Sequence, residues 1–182
     1  MRESKREAAL EAAKRVVQRD GVTALSYEAV AAEAELTKGG LLYHFPSREN
    51  LLLALHEYVA GQWEQCMCRE VGQQDDAGLD DQTKLEAYVR ASQNPDRAEL
   101  LLTLEAATQN EAAHAVWSRI YDRWAAPMPV AAEDDEAVRR FIARLAADGL
   151  WLYESINEAT VDPQVRDRLV QEITALGQTG QP

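Results

Sequence analysis

The chain has 182 residues, 46% hydrophobic and 27% charged, with a net charge of −12. This composition excludes a disordered chain, and with no apolar run near the roughly 18 residues of a membrane span it also excludes a membrane-spanning class. The acidity is uneven: residues 1–56 hold eight Lys/Arg and eight Asp/Glu, whereas residues 57–182 hold eleven and twenty-three, so DNA bound at the neutral amino-terminal end is not excluded.

Nearly every segment carries a helical period and none alternates as a strand does, which predicts an all-α chain of about nine helices. The first, from about Ser4 to Asp20, places Leu10, Ala13 and Val17 on one face and stops where Gly21 can take a left-handed C-cap. The second starts at Ser26 as N-cap, with Leu25 and Val30 placed as a hydrophobic staple, and ends near Glu33. Thr37 can cap a third helix of about seven residues reaching Tyr43 or His44. Ser47 can cap a fourth that runs to about Val71, roughly 36 Å at 1.5 Å per residue.

The acidic, glycine-containing stretch 72–81 predicts a loop. A fifth helix reaches about Gln93. Asn94 as cap and Pro95 at the first helical position then open a sixth, with Leu100, Leu101 and Leu104 facing inward. "NEAAHAVWSRIYDRWAAP" forms a seventh, ended by Pro127, and a second loop leads to an eighth with Val138, Phe141, Ile142, Leu145, Leu152 and Ile156 at helical spacing. The ninth, from about Asp162 to Leu176, presents Val165, Leu169, Ile173 and Leu176, and the last residues fray.

Chemistry is sparse along this path. Cys66 and Cys68 are the only cysteines; two apart on a helix, they point to nearly opposite sides and neither pair nor share a metal. His44, His56 and His114 are scattered, and "HEYVA" lacks the second histidine of a zinc-protease helix. No nucleophile elbow, phosphate loop or dinucleotide fingerprint occurs, so neither an enzyme, a metal site nor a cofactor is expected. Residues 1–20 lack the apolar core of a signal peptide, and a cytoplasmic location without a membrane partner is expected.

The stretch "LTKGGLLYHF" is different. Two short helices joined by a tight turn at Ala34 to Leu36 make a helix-turn-helix, with Ala31, Ala32 and Ala34 small enough for close packing and Leu36 as an apolar plug. The second helix would present Thr37, Lys38, Gly39, Tyr43 and His44 to base edges and phosphates. Gly39 and Gly40 each cost about 1 kcal/mol of helix stability relative to alanine, so their presence asks for a packing or functional reason. Tyr43 and His44 also fit ordinary helix-end packing.

"LSYEAVAAEAELTKGGLLYHFPSRENLLLAL" resembles the DNA-binding head of TetR-family transcriptional regulators over residues 4 to about 56. The resemblance implies a nine-helix architecture: a helix-turn-helix head, residues 1–46, and a ligand-binding and dimerisation body, residues 47–182. It implies double-stranded operator DNA, a small-molecule inducer and a second copy of the chain as partners, and no cofactor. In the head it makes Thr37, Lys38, Gly39 and Tyr43 the groove-facing set, and puts His44, Ser26, Tyr27 and Arg48 where phosphate is touched. "LAADGLWLYE" in the eighth helix is similar to multidrug-responsive members that bind planar cationic dyes.

For the body, the resemblance implies a pocket whose candidates are Trp63, Trp117 and Trp151 with Asp148, and more weakly Leu100, Glu105 and Phe141. An aromatic face beside a carboxylate suits a flat cation. Each has a plain alternative: the tryptophans as core, Asp148 paired with Arg144 one turn earlier, Glu105 as a solvated or capping residue. The eighth and ninth helices resemble the family's dimerising pair, with Ala143, Ala146, Leu150, Tyr153, Leu169 and Ile173 as interface candidates. The expected function is a homodimeric repressor, released from its operator by a lipophilic cation and controlling an efflux gene. The alternatives are a regulator of a metabolic operon answering a neutral or anionic ligand, or a protein-interaction module without DNA binding.

Overall fold

The computed structural model describes residues 4–92, 97–157 and 161–178. Among these the chain forms nine α-helices, one 3-10 turn and no strand. Asn94 and Pro95, expected to open the sixth helix, the expected end of the fifth at Gln93, and the tail 179–182 lie outside the described residues. No helix of the described residues is long and apolar enough to cross a membrane.

The chain divides into two compact units. The first is Met1–Gln62 with Asp96–Trp117; the second is Trp63–Pro95 with Ser118–Pro182. In the first unit, α1 (Lys5–Asp20) is capped by Ser4, whose hydroxyl accepts from the Glu7 amide at 3.1 Å. It buries Ala9, Leu10, Ala12, Ala13, Val16 and Val17, a stripe that alanines keep shallow enough for close helix approach. Gly21 ends the helix with φ 85° and ψ 168°, a backbone open to glycine but outside the left-handed helical well expected for it. A 3-10 turn, Val22–Ala24, then leads to α2 (Tyr27–Ala34) and α3 (Lys38–His44).

Around α1 pack α2, α3, the 3-10 turn and α6 (Arg97–Gln109). Arg15 and Arg19 of α1 both reach Glu33 of α2, at 2.8 and 2.9 Å. Helix α4 (Arg48–Val71) has residues in both units, as does α7 (Glu111–Trp124). In the first unit, α4 is tied to α1 by Tyr58, whose hydroxyl donates to Glu11 at 2.5 Å, and by Gln62, whose amide donates to the same carboxylate at 2.8 Å.

In the second unit, α5 (Asp81–Ala91), α8 (Asp135–Ile156) and α9 (Pro163–Gly177) pack on one another. Asp80, Asp134 and Asp162 cap the three helices through amides at 2.7–3.3 Å. Gly177 lets the end of α9 close tightly on α5: a Cβ there would sit 2.2 Å from the end of the Leu85 side chain, which would have to shift. Of the residues expected at a dimer face, Ala143 and Ile173 are instead buried within the protomer, because α8 and α9 use them against their own neighbours. Tyr153 and Leu169 are exposed, Ala146 and Leu150 half-buried, and the exposed apolar surface of this helix pair also includes Ile142, Leu145, Leu152, Ile156, Val165 and Leu176.

Candidate functional site

The helix-turn-helix is built from caps at both starts and one strained residue between. The Ser26 hydroxyl accepts from the Ala29 amide at 3.2 Å and the Thr37 hydroxyl from the Gly40 amide at 3.1 Å. Glu35, at φ 53° and ψ 38°, is the one described non-glycine residue with positive φ, and it turns α2 into α3 within three residues. Val30 and Leu41 are fully buried and fix one face of each helix. The opposite face of α3 is left to solvent.

On that face Lys38, Gly39, Leu42 and Tyr43 are exposed, Tyr43 by 84%. A tyrosine so open on a seven-residue helix adds nothing to the core, and its ring and hydroxyl stay available to a partner. Lys38 Nζ lies 2.5 Å from Glu28 Oε1, an exposed pair whose ammonium holds the Glu28 carboxyl below the usual carboxylate range. His44 is half-buried, its ring edge-on to Tyr43 at 5.1 Å. An open cavity of about 420 Å³ runs beside α3, lined by Thr37, Gly40, Tyr43, His44, Glu35, Leu36 and Lys5. Lys5 was beyond sequence reasoning, since it joins this surface from the start of α1, more than thirty residues away in the chain.

Two residues expected at phosphate have structural partners. Tyr27 donates its hydroxyl to the Phe45 carbonyl at 2.5 Å, closing α2 onto the end of α3. Arg48 donates Nε to the Leu25 carbonyl at 2.8 Å and Nη2 to the Val22 carbonyl at 3.2 Å, which fastens the start of α4 to the 3-10 turn. Tyr27 thus holds the end of α3 and Arg48 the start of the helix that follows it.

The residues expected to bind a ligand fall into both units. In the first, Leu100 is buried, and Trp117 and Glu105 meet on His56, which sequence reading set aside as scattered. The Trp117 indole N–H donates to His56 Nδ1 at 3.0 Å, and His56 Nε2 lies 2.9 Å from Glu105 Oε2. With Nδ1 accepting from an indole, Nε2 carries the proton and donates to the carboxylate, so the imidazole is neutral. Burial pushes its pKa below the ordinary value and outweighs the raising pull of Glu105.

In the second unit, Trp63 meets Tyr88 edge-on at 5.5 Å and Tyr121 at 5.3 Å. The Tyr88 hydroxyl donates to Asp148 Oδ1 at 2.5 Å, and Arg144 Nε lies 3.7 Å from Asp148 Oδ2. The Arg144 guanidinium also stands over the rings of Tyr121, at 5.6 Å, and Phe141, at 5.8 Å, and donates to the Ala126 carbonyl at 2.7 Å. Desolvation raises the Asp148 carboxyl above its ordinary pKa; burial, then the Asp148 charge, raises the Tyr88 phenol well above its own. Trp151 is half-buried, with its indole N–H enclosed and without a partner; on the same helix Glu154 is paired with Arg166 of α9. Tyr88 and Tyr121 complete a group of which the sequence offers Trp63, Phe141 and Asp148 as ligand candidates. Arg144 was visible as an (i, i+4) partner of Asp148; the two tyrosines, on other helices, gave no local signal.

Among the described residues no group of His, Cys, Asp and Glu could hold a metal ion. Comparison with curated protein sequences gives no match. The chain shares its fold with solved structures of low identity. A regulator from Saccharomonospora viridis, solved in complex with choline, is 20% identical with a TM-score of 0.66, and the match covers 93% of each chain. A TetR-family transcriptional regulator from Rhodococcus sp. is 18% identical with a TM-score of 0.65, over 96% of this chain and 98% of that one. The multidrug binding protein EbrR, solved with ethidium, is 20% identical with a TM-score of 0.60, over 95% and 98%. Residues 9–55 match the model of bacterial regulatory proteins of the tetR family, and residues 82–178 match the tetracyclin repressor-like C-terminal domain. With the second match alone covering more than half of the chain and the first falling on the helix-turn-helix, the chain belongs to the TetR family of transcriptional regulators.

Proposed function

We propose that this regulator is a homodimeric repressor that holds operator DNA through α3 and releases it when a lipophilic cation binds the aromatic group around Trp63 and Asp148. The observation that carries the reading is the solvent-facing side of α3: Lys38, Gly39 and Tyr43 stand open on a helix whose other face is fixed by the buried Leu41, the Thr37 cap and the Tyr27 hydrogen bond to Phe45. Lys38 and Tyr43 reach base edges, Gly39 allows the backbone near the duplex, and Ser26, Thr37, His44 and Lys5 meet phosphate. The half-buried Tyr27 and Arg48 act by positioning.

The apolar side of α8 and α9 supports a symmetric dimer, which would present two α3 helices to successive major grooves roughly 34 Å apart. Trp63, Tyr88 and Tyr121 beside the Asp148 carboxylate support a cationic ligand, and the choline and ethidium bound by two proteins of the same fold agree with that chemistry. An efflux gene as the regulated target follows from that ligand class. Release by linkage requires the cation to bind the DNA-free form more tightly, typically by about 1–3 kcal/mol.

The test is fluorescence anisotropy of labelled DNA from the gene's own upstream region at stated salt, with and without ethidium. Tight, salt-sensitive binding weakened by ethidium is expected. Binding that ethidium leaves unchanged would discard the cation and favour a neutral or anionic inducer. Binding no tighter than to scrambled DNA, there and at neighbouring promoters, would leave a protein-interaction module as the better account.

A further inference from the structure

A cation site is recognised by aromatic faces beside a carboxylate. The second unit has that chemistry, and a cation of the chain's own already stands in it. The Arg144 guanidinium is over two rings, Tyr121 and Phe141, and faces Asp148. Its ion pair is loose at 3.7 Å, whereas Tyr88 donates to the same carboxylate at 2.5 Å. Arg144 is anchored at its other end by the Ala126 carbonyl, so the guanidinium is not spent on Asp148. The Asp148 side chain keeps 39% of its surface accessible and that of Arg144 22%, so the pair can be reached from solvent.

We propose that Arg144 is a resident surrogate cation: an incoming organic cation takes its place against Tyr121, Phe141 and Asp148, and Arg144 swings out to solvent. This rests on the cationic-ligand reading of the same group, and adds the residue that sets its selectivity. A ligand must exceed what the guanidinium gains on the two rings and the carboxylate. Small, strongly hydrated ammonium ions fail that comparison; flat or bulky lipophilic cations, which cover more ring surface and lose less hydration, succeed. Neutral aromatics gain nothing from displacing a charge.

A merely structural Arg144, bridging α8 to the end of α7, predicts the opposite response to its removal. The experiment is isothermal titration calorimetry of the full chain with ethidium and with uncharged phenanthridine. Arg144→Met keeps most of the volume and removes the charge; Arg144→Lys keeps the charge. Arg144→Met is expected to bind ethidium at least about tenfold more tightly, with phenanthridine affinity unchanged, while Arg144→Lys, whose more strongly hydrated ammonium is a weaker resident on the rings, falls between the parent and Arg144→Met. Equal tightening for both probes would mean only that space was made, and overturns the proposal. So does unchanged or weaker ethidium binding by a folded Arg144→Met chain, and in that case the cation reading survives if the parent binds ethidium. If neither parent nor variant binds ethidium, both readings fall.

If Arg144→Met does not fold, the parent chain decides. On saturation with ethidium the isotope-labelled Arg144 Nε–Hε resonance, assigned from its loss in Arg144→Lys, should move to the position of solvent-exposed arginine. A resonance that stays in place with ethidium bound overturns the displacement.

Discussion

The α3 face and the aromatic group of the second unit use the same kinds of residue, a tyrosine with a basic side chain and an acid, and treat them oppositely. On α3, Tyr43 and Lys38 point to solvent, and Lys38 is paired with the exposed Glu28. Around Trp63, both tyrosines, the arginine and the carboxylate are turned toward one another. Side chains that fold without using their chemistry are open to a large partner that covers them. Side chains that satisfy one another are open only to a small molecule able to replace one of them. The comparison separates function from stability: changes on α3 should alter DNA binding at constant stability, whereas changes inside a partnered group should alter both.

The largest effect expected is on α3. Lys38→Ala with Tyr43→Ala should weaken operator binding by a hundredfold or more, at roughly 1–3 kcal/mol for each contact to a base. Thermal stability should move by no more than about 0.5 kcal/mol, since neither side chain is buried. Parallel anisotropy titrations and thermal melts measure both; a fall in stability equal to the fall in binding would break the contrast.

The partnered counterpart is His56. Replacing it with alanine removes its hydrogen bonds with the Trp117 indole N–H and the Glu105 carboxylate and opens a cavity in the first unit, a cost of about 3 kcal/mol in chemical denaturation. A smaller effect sharpens the point. Because the folded pKa of His56 is lowered, its neutral form contributes stability that is fully present above the unfolded value of 6.5. That contribution is lost as the pH falls from there through the lower folded value, where an Nδ1 proton would confront the indole N–H. Glu105 and Trp117 are the polar groups that face the ring, and neither accepts that proton at Nδ1. His56→Gln should flatten this limb of the stability profile on the acid side of about pH 6.5 relative to the parent. An unchanged slope would mean that the ring is not held neutral.

The same contrast decides what the sequence revealed. Helix starts were legible because a cap is a local event: Ser4, Ser26, Thr37, Ser47 and Asp162 all stand just ahead of the helices expected from them. The α3 face was legible too, since residues that do not pack are placed by their own helix alone. The 3-10 turn at Val22–Ala24 was not, because Arg48, 23 residues beyond Leu25, helps to hold the carbonyls of its first residue and of the residue that follows it. His56 was dismissed for lack of neighbours in the chain, and its partners arrive 49 and 61 residues later. Ala143 and Ile173 were read as surface because a small or apolar residue on a helix fits a core as well as an interface; the choice belongs to packing.

The finest test is Gly39. A Cβ built there meets nothing within 4 Å, and its backbone is helical, so alanine fits the free protein and should stabilise α3 by up to about 1 kcal/mol. At Gly40 the same methyl would come 3.2 Å from the Thr37 hydroxyl and crowd the cap, so the two adjacent glycines are not equivalent. If Gly39 is there to let the backbone approach the duplex, Gly39→Ala should bind operator several-fold more weakly while melting slightly higher. A methyl group is the smallest probe that separates the two accounts of this glycine. Unchanged binding with higher stability would show that the residue is not needed for close approach, and that α3 makes its contacts through side chains.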